Sequence, residues 1–225
     1  MNRSSLRGLY AITDAALQSP EQLVLHVQQA IDGGAVLIQY RDKSNDTSLR
    51  QQQARSLVEL CNARGATLII NDDAALAAAV GAHGVHLGND DATIAAAREQ
   101  LGDASIIGVS CYNQWSLAQQ ASEAGANYIA FGRFFTSRTK PDAVEADITL
   151  LQRAHRELDI PVAAIGGITA SNAGALIDAG ADLLAVVRDV FAADDVYAAA
   201  RRYQTLFELH NHRSHEPEQP KESRA

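Results

Sequence analysis

Eight short runs rich in β-branched and small apolar residues, at 8–13, 36–40, 67–71, 84–87, 105–110, 128–131, 162–165 and 183–187, punctuate this chain. Between and after them lie amphipathic stretches rich in Ala, Leu, Gln and Glu, at 21–32, 48–64, 74–80, 93–101, 114–124, 148–158, 171–179 and 190–207. Strands that alternate with helices pair in parallel, because a parallel neighbour is reached only through a long crossover. The tripeptide Ala-Gly-Ala at 124–126 and 179–181, and the related Gly33-Gly34-Ala35, stand just before a strand each time. Glycine there ends the preceding helix in a left-handed conformation that other residues adopt only at a cost. A closed (β/α)₈ TIM barrel is the most economical arrangement of such units. An open doubly wound sheet is disfavoured, since no Gly-x-Gly-x-x-Gly turn follows the first strand.

The length of 225 residues and the 47% hydrophobic content allow one domain, expected over 1–207, to bury a full core. After Phe207 the sequence turns polar and Pro-interrupted, and 208–225 is expected to be a disordered tail. His210, His212 and His215 lie in it without a carboxylate or cysteine cluster to fix a metal geometry. A net charge of −8 with no concentrated Lys/Arg stretch argues against nucleic acid or an anionic membrane as partner. No apolar run approaches the roughly 20 residues that cross a bilayer. Two cysteines and a start without an apolar signal core point to the cytoplasm. Small-molecule substrates are the expected partners, and association into homo-oligomers is left open.

In a barrel the C-terminal strand ends form the active face. The second strand brings Gln39, Arg41 and Lys43 there, alternating with Tyr40 and Asp42, and its two cations suit phosphate oxygens. The third brings Asn71, Asp72 and Asp73; the fourth brings His86, Asn89, Asp90 and Asp91. Asp72 and Asp91 fit a hard divalent cation such as Mg²⁺, with helix capping by Asp73 and Asp91 as the competing explanation. His86 points into the barrel as a satisfied core imidazole. Thr13 and Asp14 read as a polar turn with a helix-starting Asp. Ser110 ends the fifth strand without a His-Asp partner pattern that would make it a nucleophile, and Cys111 reads as packing. After the sixth strand, Ser137, Thr139 and Lys140 suit a phosphorylated ligand, and Phe131, Phe134 and Phe135 suit stacking on a flat ring. Gly166-Gly167 lets the backbone approach a ligand, ahead of a helix whose first amides favour an anion.

These segments resemble thiamine-phosphate synthase from near the start to about Phe207. The resemblance rests on Gly8-Leu9-Tyr10-Ala11-Ile12-Thr13-Asp14, Gln39-Tyr40-Arg41-Asp42-Lys43, Asn71-Asp72, Gly84-Val85-His86-Leu87-Gly88 with Asp91, Gly108-Val109-Ser110, Thr136-Ser137-Arg138-Thr139-Lys140 and Ala164-Ile165-Gly166-Gly167-Ile168. It implies condensation of 4-amino-2-methyl-5-hydroxymethylpyrimidine diphosphate with hydroxyethylthiazole phosphate to thiamine phosphate and pyrophosphate. Gln39, Tyr40, Arg41, Asp42, Lys43, Asn71, Ser110 and Lys140 would then hold the pyrimidine diphosphate. Asp72 and Asp91 would hold Mg²⁺, while Ser137, Arg138, Thr139, Gly167, Val187 and Arg188 would hold the thiazole phosphate. Arg41, Lys43, Ser110 and Lys140 are the residues expected to act in catalysis. The family's route is dissociative and needs no protein nucleophile. Arg188 stands where the family usually has Ser, Asn89 where it has Gln, and Arg133 where it has Pro, with Asp189 a competing partner for Arg188. A thiazole tautomerase-like barrel or a non-catalytic thiazole phosphate-binding regulator would share the fold without needing both residue sets.

Overall fold

The computed structural model describes residues 6–88, 91–136 and 144–215, with side chains as far as 212. Its strands are β1 (Gly8–Ile12), β2 (Ala35–Tyr40), β3 (Thr67–Asn71), β4 (Gly84–Leu87), β5 (Ile106–Tyr112), β6 (Tyr128–Gly132), β7 (Val162–Ile165) and β8 (Leu183–Val186). Each pairs in parallel with the next, and β8 pairs back to β1, with Leu9 opposite Leu184 and Tyr10 opposite Ala185. The sheet is therefore a closed barrel, as the alternation predicts. Around it run α1 (Pro20–Asp32), α2 (Thr47–Arg64), α3 (Ala74–Val80), α4 (Ile94–Leu101), α5 (Trp115–Glu123), α6 (Thr149–Glu157), α7 (Ala173–Asp178), α8 (Arg188–Phe191) and α9 (Val196–His215).

Strand side chains alternate between two cores. Leu9, Ala11, Ile38, Leu68, Ile70, Ile129 and Leu184 point outward into the layer beneath the helices. Leu37, Ile69, Ile106, Ala163 and Leu183, the intervening row, fill the barrel together with Tyr10 and Tyr128. Full burial of each large aliphatic side chain stabilises the fold by about 1.5–3 kcal/mol. Asp46, Asp73 and Thr93 cap α2, α3 and α4 by accepting from the amides of Leu49, Leu76 and Ala96. Gly125 and Gly180, the glycines of the two Ala-Gly-Ala turns, have φ of 87° and 103°, as their place before a strand requires.

The C-terminal region departs from expectation in two ways. The stretch expected as one helix over 190–207 is two: α8 starts at Arg188, directly after β8, and α9 begins anew at Val196. Helix α9 also runs past Phe207 to His215, so 208–215 is helix rather than disordered tail. No Pro or Gly occurs before Pro217 to stop it, and His210 Nδ1 lies 3.1 Å from Asp178 Oδ1 on α7. Residues 216–225 lie outside the described residues.

The barrel wall has little room at β4. A Cβ on Gly84 would fall 1.8 Å from the carbonyl oxygen of Ile106 on β5. Gly84→Ala is expected to cost about 2–3 kcal/mol by overpacking, lowering Tm by roughly 4–12 °C. Gly65, with φ of 67° and nothing within 4 Å of its added Cβ, pays only the left-handed backbone term when changed to Ala, about 1–2 kcal/mol. Equal shifts of the two variants in thermal scans would refute the steric explanation at Gly84.

Candidate active site

Two adjoining depressions open at the C-terminal strand ends. One, of about 460 Å³, enters the barrel mouth and is lined by Gln39, Arg41, Asn71, His86 and Ser110 on one side and by Arg133, Gly166, Gly167, Val187 and Arg188 on the other. Its neighbour, of about 470 Å³, is lined by Asp42, Lys43, Arg50, Asn71, Asp72 and Asp73. Asn71 borders both, so the two adjoin at the end of β3.

The acidic side chains of the second depression divide their duties. Asp73 caps α3 and pairs with Arg50 at 2.9 Å, so for this residue the capping explanation holds. Asp72 has φ of 63°, a left-handed conformation that Asp tolerates better than most residues, and this turns its carboxylate to the Lys43 ammonium. Asp91 is not the cap of α4, which is Thr93. Asp91 Oδ2 instead folds back to accept from the Gly88 amide at 2.6 Å, at the end of β4. Burial alone would raise the pKa of Asp72; the Lys43 ammonium, a hydrogen bond from Asp91 and one from Asn71 outweigh it and hold the carboxyl below its ordinary value. Burial and the charge of Asp72 hold Asp91 above its ordinary value, despite the Gly88 amide. The two carboxyls thus face one another with their pKa values pushed apart.

That pair fits Mg²⁺. Both groups offer hard oxygen donors from adjacent strands, and a cation, Lys43, already sits against one of them. Among the described residues no group of three or more His, Cys, Asp or Glu is arranged for a metal. Two carboxylates are nonetheless what Mg²⁺ takes when waters and phosphate oxygens complete its octahedron.

Inside the mouth a chain of polar side chains crosses the barrel. Gln39 Nε2 lies 2.5 Å from Tyr10 Oη, Tyr10 Oη 2.7 Å from Tyr128 Oη, Tyr128 Oη 2.9 Å from His86 Nδ1, and His86 Nε2 2.8 Å from Ser110 Oγ. His86 is satisfied, as expected, yet it satisfies itself on Ser110. The group on its other nitrogen is a phenol and not a carboxylate, so these residues do not form a nucleophilic triad.

The opposite wall is basic. Arg188 has no hydrogen-bonding or ionic partner among the described residues; Asp189, expected to compete for it, accepts instead from Tyr203 Oη at 2.6 Å and from the Ala170 amide at 3.1 Å. Arg133 Nε is buried and also lacks a partner there. Gly166 and Gly167, with φ of 104° and 63°, let the β7 loop meet the β6 loop: a Cβ on Gly166 would stand 2.3 Å from that of Arg133, and one on Gly167 2.4 Å from the Thr136 carbonyl.

A family model described as thiamine monophosphate synthase matches residues 9–190 of this chain. The chain belongs to the thiamine-phosphate synthase family. The thiamine-phosphate synthase of Azoarcus sp. (strain BH72) is 54% identical over 202 residues, covering 90% of this chain and 98% of that protein. That of Nitrosococcus oceani is 50% identical over 204 residues, covering 91% and 94%. The structure of thiamine phosphate pyrophosphorylase from Pyrococcus furiosus superposes with a TM-score of 0.83 at 35% identity, over 92% of this chain and 98% of that one. As a member of this family the chain is an enzyme, a transferase.

Of the residues expected to bind, Gln39, Arg41, Asn71, Ser110, Gly167, Val187 and Arg188 share the mouth cavity, while Asp42, Lys43 and Asp72 share the outer one. Tyr40 does not join them. Its ring is packed in the outer core, and its hydroxyl donates to Gln53 Oε1 at 2.7 Å, because period two turns it away from Gln39. Phe131, Phe134 and Phe135 also pack into or against that core, so none lines the cavity for stacking. Asp14 starts no helix, since α1 is capped at Ser19. Nor do helix amides follow Ile168 directly: α7 begins at Ala173, and the Thr169 amide is taken by Asn172 Oδ1 at 2.8 Å. Asn89, Asp90, Ser137, Arg138, Thr139 and Lys140 lie outside the described residues. Sequence reasoning missed Tyr10, Tyr128, Arg50 and a lining role for Arg133. Tyr10 and Tyr128 were legible in principle, as polar residues in register with the inward row.

The paired carboxyls have a measurable cost. A group held above its ordinary pKa contributes stability below its unfolded-state value, and that contribution is lost as pH rises through the folded-state value. This is the case for Asp91; Asp72, held low, contributes above its ordinary value and loses it in acid. In metal-free protein, Asp91→Asn is therefore expected to raise Tm at neutral pH by roughly 1–2 °C, since part-exposed pairs contribute under about 1 kcal/mol. The gain should vanish in acid, where Asp91 is protonated. A variant less stable than the parent at pH 7 in chelator would contradict this account of the pair.

Proposed function

We propose that the two depressions divide one condensation between them. The outer, acidic one and the adjoining Gln39–Ser110 side of the mouth take 4-amino-2-methyl-5-hydroxymethylpyrimidine diphosphate. The arginine-lined side takes hydroxyethylthiazole phosphate. The observation that carries this division is the meeting of the two depressions at Asn71, with the Asp72 carboxylate lining one and Arg41, Arg133 and Arg188 lining the other. A phosphorylated acceptor needs cations, and a diphosphate leaving group needs a cation site in addition.

The bond between the pyrimidine methylene carbon and the diphosphate oxygen breaks, and its electron pair leaves with pyrophosphate. The thiazole nitrogen then donates its lone pair to that carbon, forming the C–N bond of thiamine phosphate. Mg²⁺, held by Asp72 and Asp91, would supply positive charge to the diphosphate oxygens. Lys43, resting on Asp72, is placed to move its ammonium to the same oxygens, and Arg41 meets them from the barrel side. Gln39, Asn71 and Ser110 orient the pyrimidine by hydrogen bonds. None of these steps asks for a protein nucleophile, and the thiols of Cys61 and Cys111 are unsuited to the part: both are buried, which pushes each pKa up to about 12. Arg188, and the backbone at Gly167 and Val187, hold the thiazole phosphate. Lys140, Ser137, Arg138 and Thr139 remain assigned to the two phosphates by resemblance. A cytoplasmic setting accords with two free cysteines, and among the described residues no helix is long and apolar enough to cross a membrane.

Pyrophosphate release measured with both substrates, each alone, and with or without Mg²⁺ tests the reading. Release that needs all three supports it; thiazole phosphate binding with no release would replace it by a binding protein. Asp91→Asn, folded, should lose about a hundredfold or more in turnover if it shares the cation. Near-normal turnover would remove Asp91 from that role. Arg188→Ser should raise KM for thiazole phosphate tenfold to a hundredfold, the worth of one charged hydrogen bond of about 1.5–3 kcal/mol, and leave the pyrimidine KM alone. A thiazole KM that does not move would reject the contact.

A further inference from the structure

We propose that Tyr10, Tyr128 and His86 form a positioning relay that holds the Ser110 hydroxyl as a hydrogen-bond donor toward the pyrimidine diphosphate. The proposal rests on the reading above only in placing that substrate against Ser110.

Counting protons along the chain gives it a direction. Gln39 presents its Nε2 to Tyr10 Oη, so that oxygen accepts and its own proton must go onward to Tyr128 Oη. Tyr128 Oη, having accepted, donates in turn to His86 Nδ1. An imidazole that accepts at Nδ1 carries its proton at Nε2, and this proton goes to Ser110 Oγ. The serine oxygen is thus an acceptor inside the barrel, and its own proton is left to point into the cavity that Ser110 lines. In a Ser–His nucleophile the imidazole nitrogen takes the serine proton. Here the polarity is the opposite.

Three features separate this chain from ordinary barrel filling. The layer beneath is made of Leu37, Ile69, Ile106 and Leu183, so aliphatic side chains suffice to fill the interior. Second, Tyr10 and Tyr128 are 1% and 0% exposed, where each unpaired hydroxyl would be costly, yet every link is made. Burial raises the pKa of both phenols, which keeps them as O–H groups able to pass the direction on. Third, β5 has given up a side chain to admit the phenol: a Cβ on Gly108 would fall 2.0 Å from Tyr128 Cζ and 2.4 Å from its Oη. A glycine inside a strand marks such an approach.

Two measurements test the relay. Nitrogen-15 NMR of the His86 ring in the unsubstituted protein should find Nε2 protonated and Nδ1 bare, and Tyr128→Phe or Tyr10→Phe should let the other tautomer appear. Protonated Nδ1 with bare Nε2 in the parent would overturn the proposal, because Ser110 would then be donating inward. For kinetics, Tyr128→Phe should lower kcat/KM for the pyrimidine diphosphate tenfold to a hundredfold and leave the thiazole phosphate KM unchanged. Combined with Ser110→Ala it should cause no further loss, since both variants remove the same contact. Losses that multiply, or that fall equally on both substrates, would mean that Tyr128 serves the fold alone. Should Tyr128→Phe not fold, Tyr10→Phe in the same cycle gives the same decision. If the parent releases no pyrophosphate, the functional reading fails, while the tautomer measurement still judges the relay.

Discussion

The pairing of β8 with β1 closes the sheet, and closure leaves half of every strand's side chains nowhere to go but a narrow interior. A polar side chain buried in that inward row finds its partner across the barrel. Gln39, Tyr10, Tyr128, His86 and Ser110 come from five different strands or strand ends, and each satisfies the next. Closure therefore joins residues as far apart as β2 and β5 into one unit. The outward row faces a different demand and meets it with aliphatic side chains against the helices.

Electrostatics at the mouth run against the character of the whole molecule. With a formal net charge of −8, the protein still exposes Arg41, Arg133 and Arg188 to one cavity. The acids nearest them in sequence are otherwise engaged. Asp42 accepts from the Ser44 amide, and Asp189 ties α8 to Ala170 and to Tyr203 of α9. Asp72 and Asp91 face one another beside Lys43 at the ends of β3 and β4. One end of the mouth therefore presents positive charge and the other negative charge.

The fold was legible because period two and period 3.6 alternate along the chain without interruption, and the strand ends followed from it. Gln39 and Arg41 could be placed on one face by parity, as could Tyr40 on the other; assigning Tyr40 to the ligand overrode that parity and failed. The division of labour among Asp72, Asp73 and Asp91 could not be read, since it depends on a left-handed turn at Asp72 and on Thr93 rather than Asp91 capping α4. Helix α9 beyond Phe207 escaped notice for a similar reason. Its sequence has no apolar stripe, and only the absence of a breaker before Pro217 marked it. The arginine wall needed the meeting of the β6 and β7 loops, which hangs on the steric emptiness of Gly166 and Gly167.

Where local preference and the fold disagree, the disagreement gathers at the strand ends. Asp72 and Tyr112 are the non-glycine residues with positive φ among those described, and they follow β3 and end β5 at the same rim of the barrel. Carboxyls that repel, the buried Nε of Arg133 without a partner among the described residues, and left-handed side-chain-bearing residues all cost stability where they stand. At the opposite end Arg98 ties the turns after α4 and α5 together, reaching Asn127 Oδ1 at 2.9 Å and the Gly102 carbonyl at 3.2 Å. A barrel held firm at one end can carry strain at the other, and two anionic substrates with their cation would relieve much of it by bringing the missing partners.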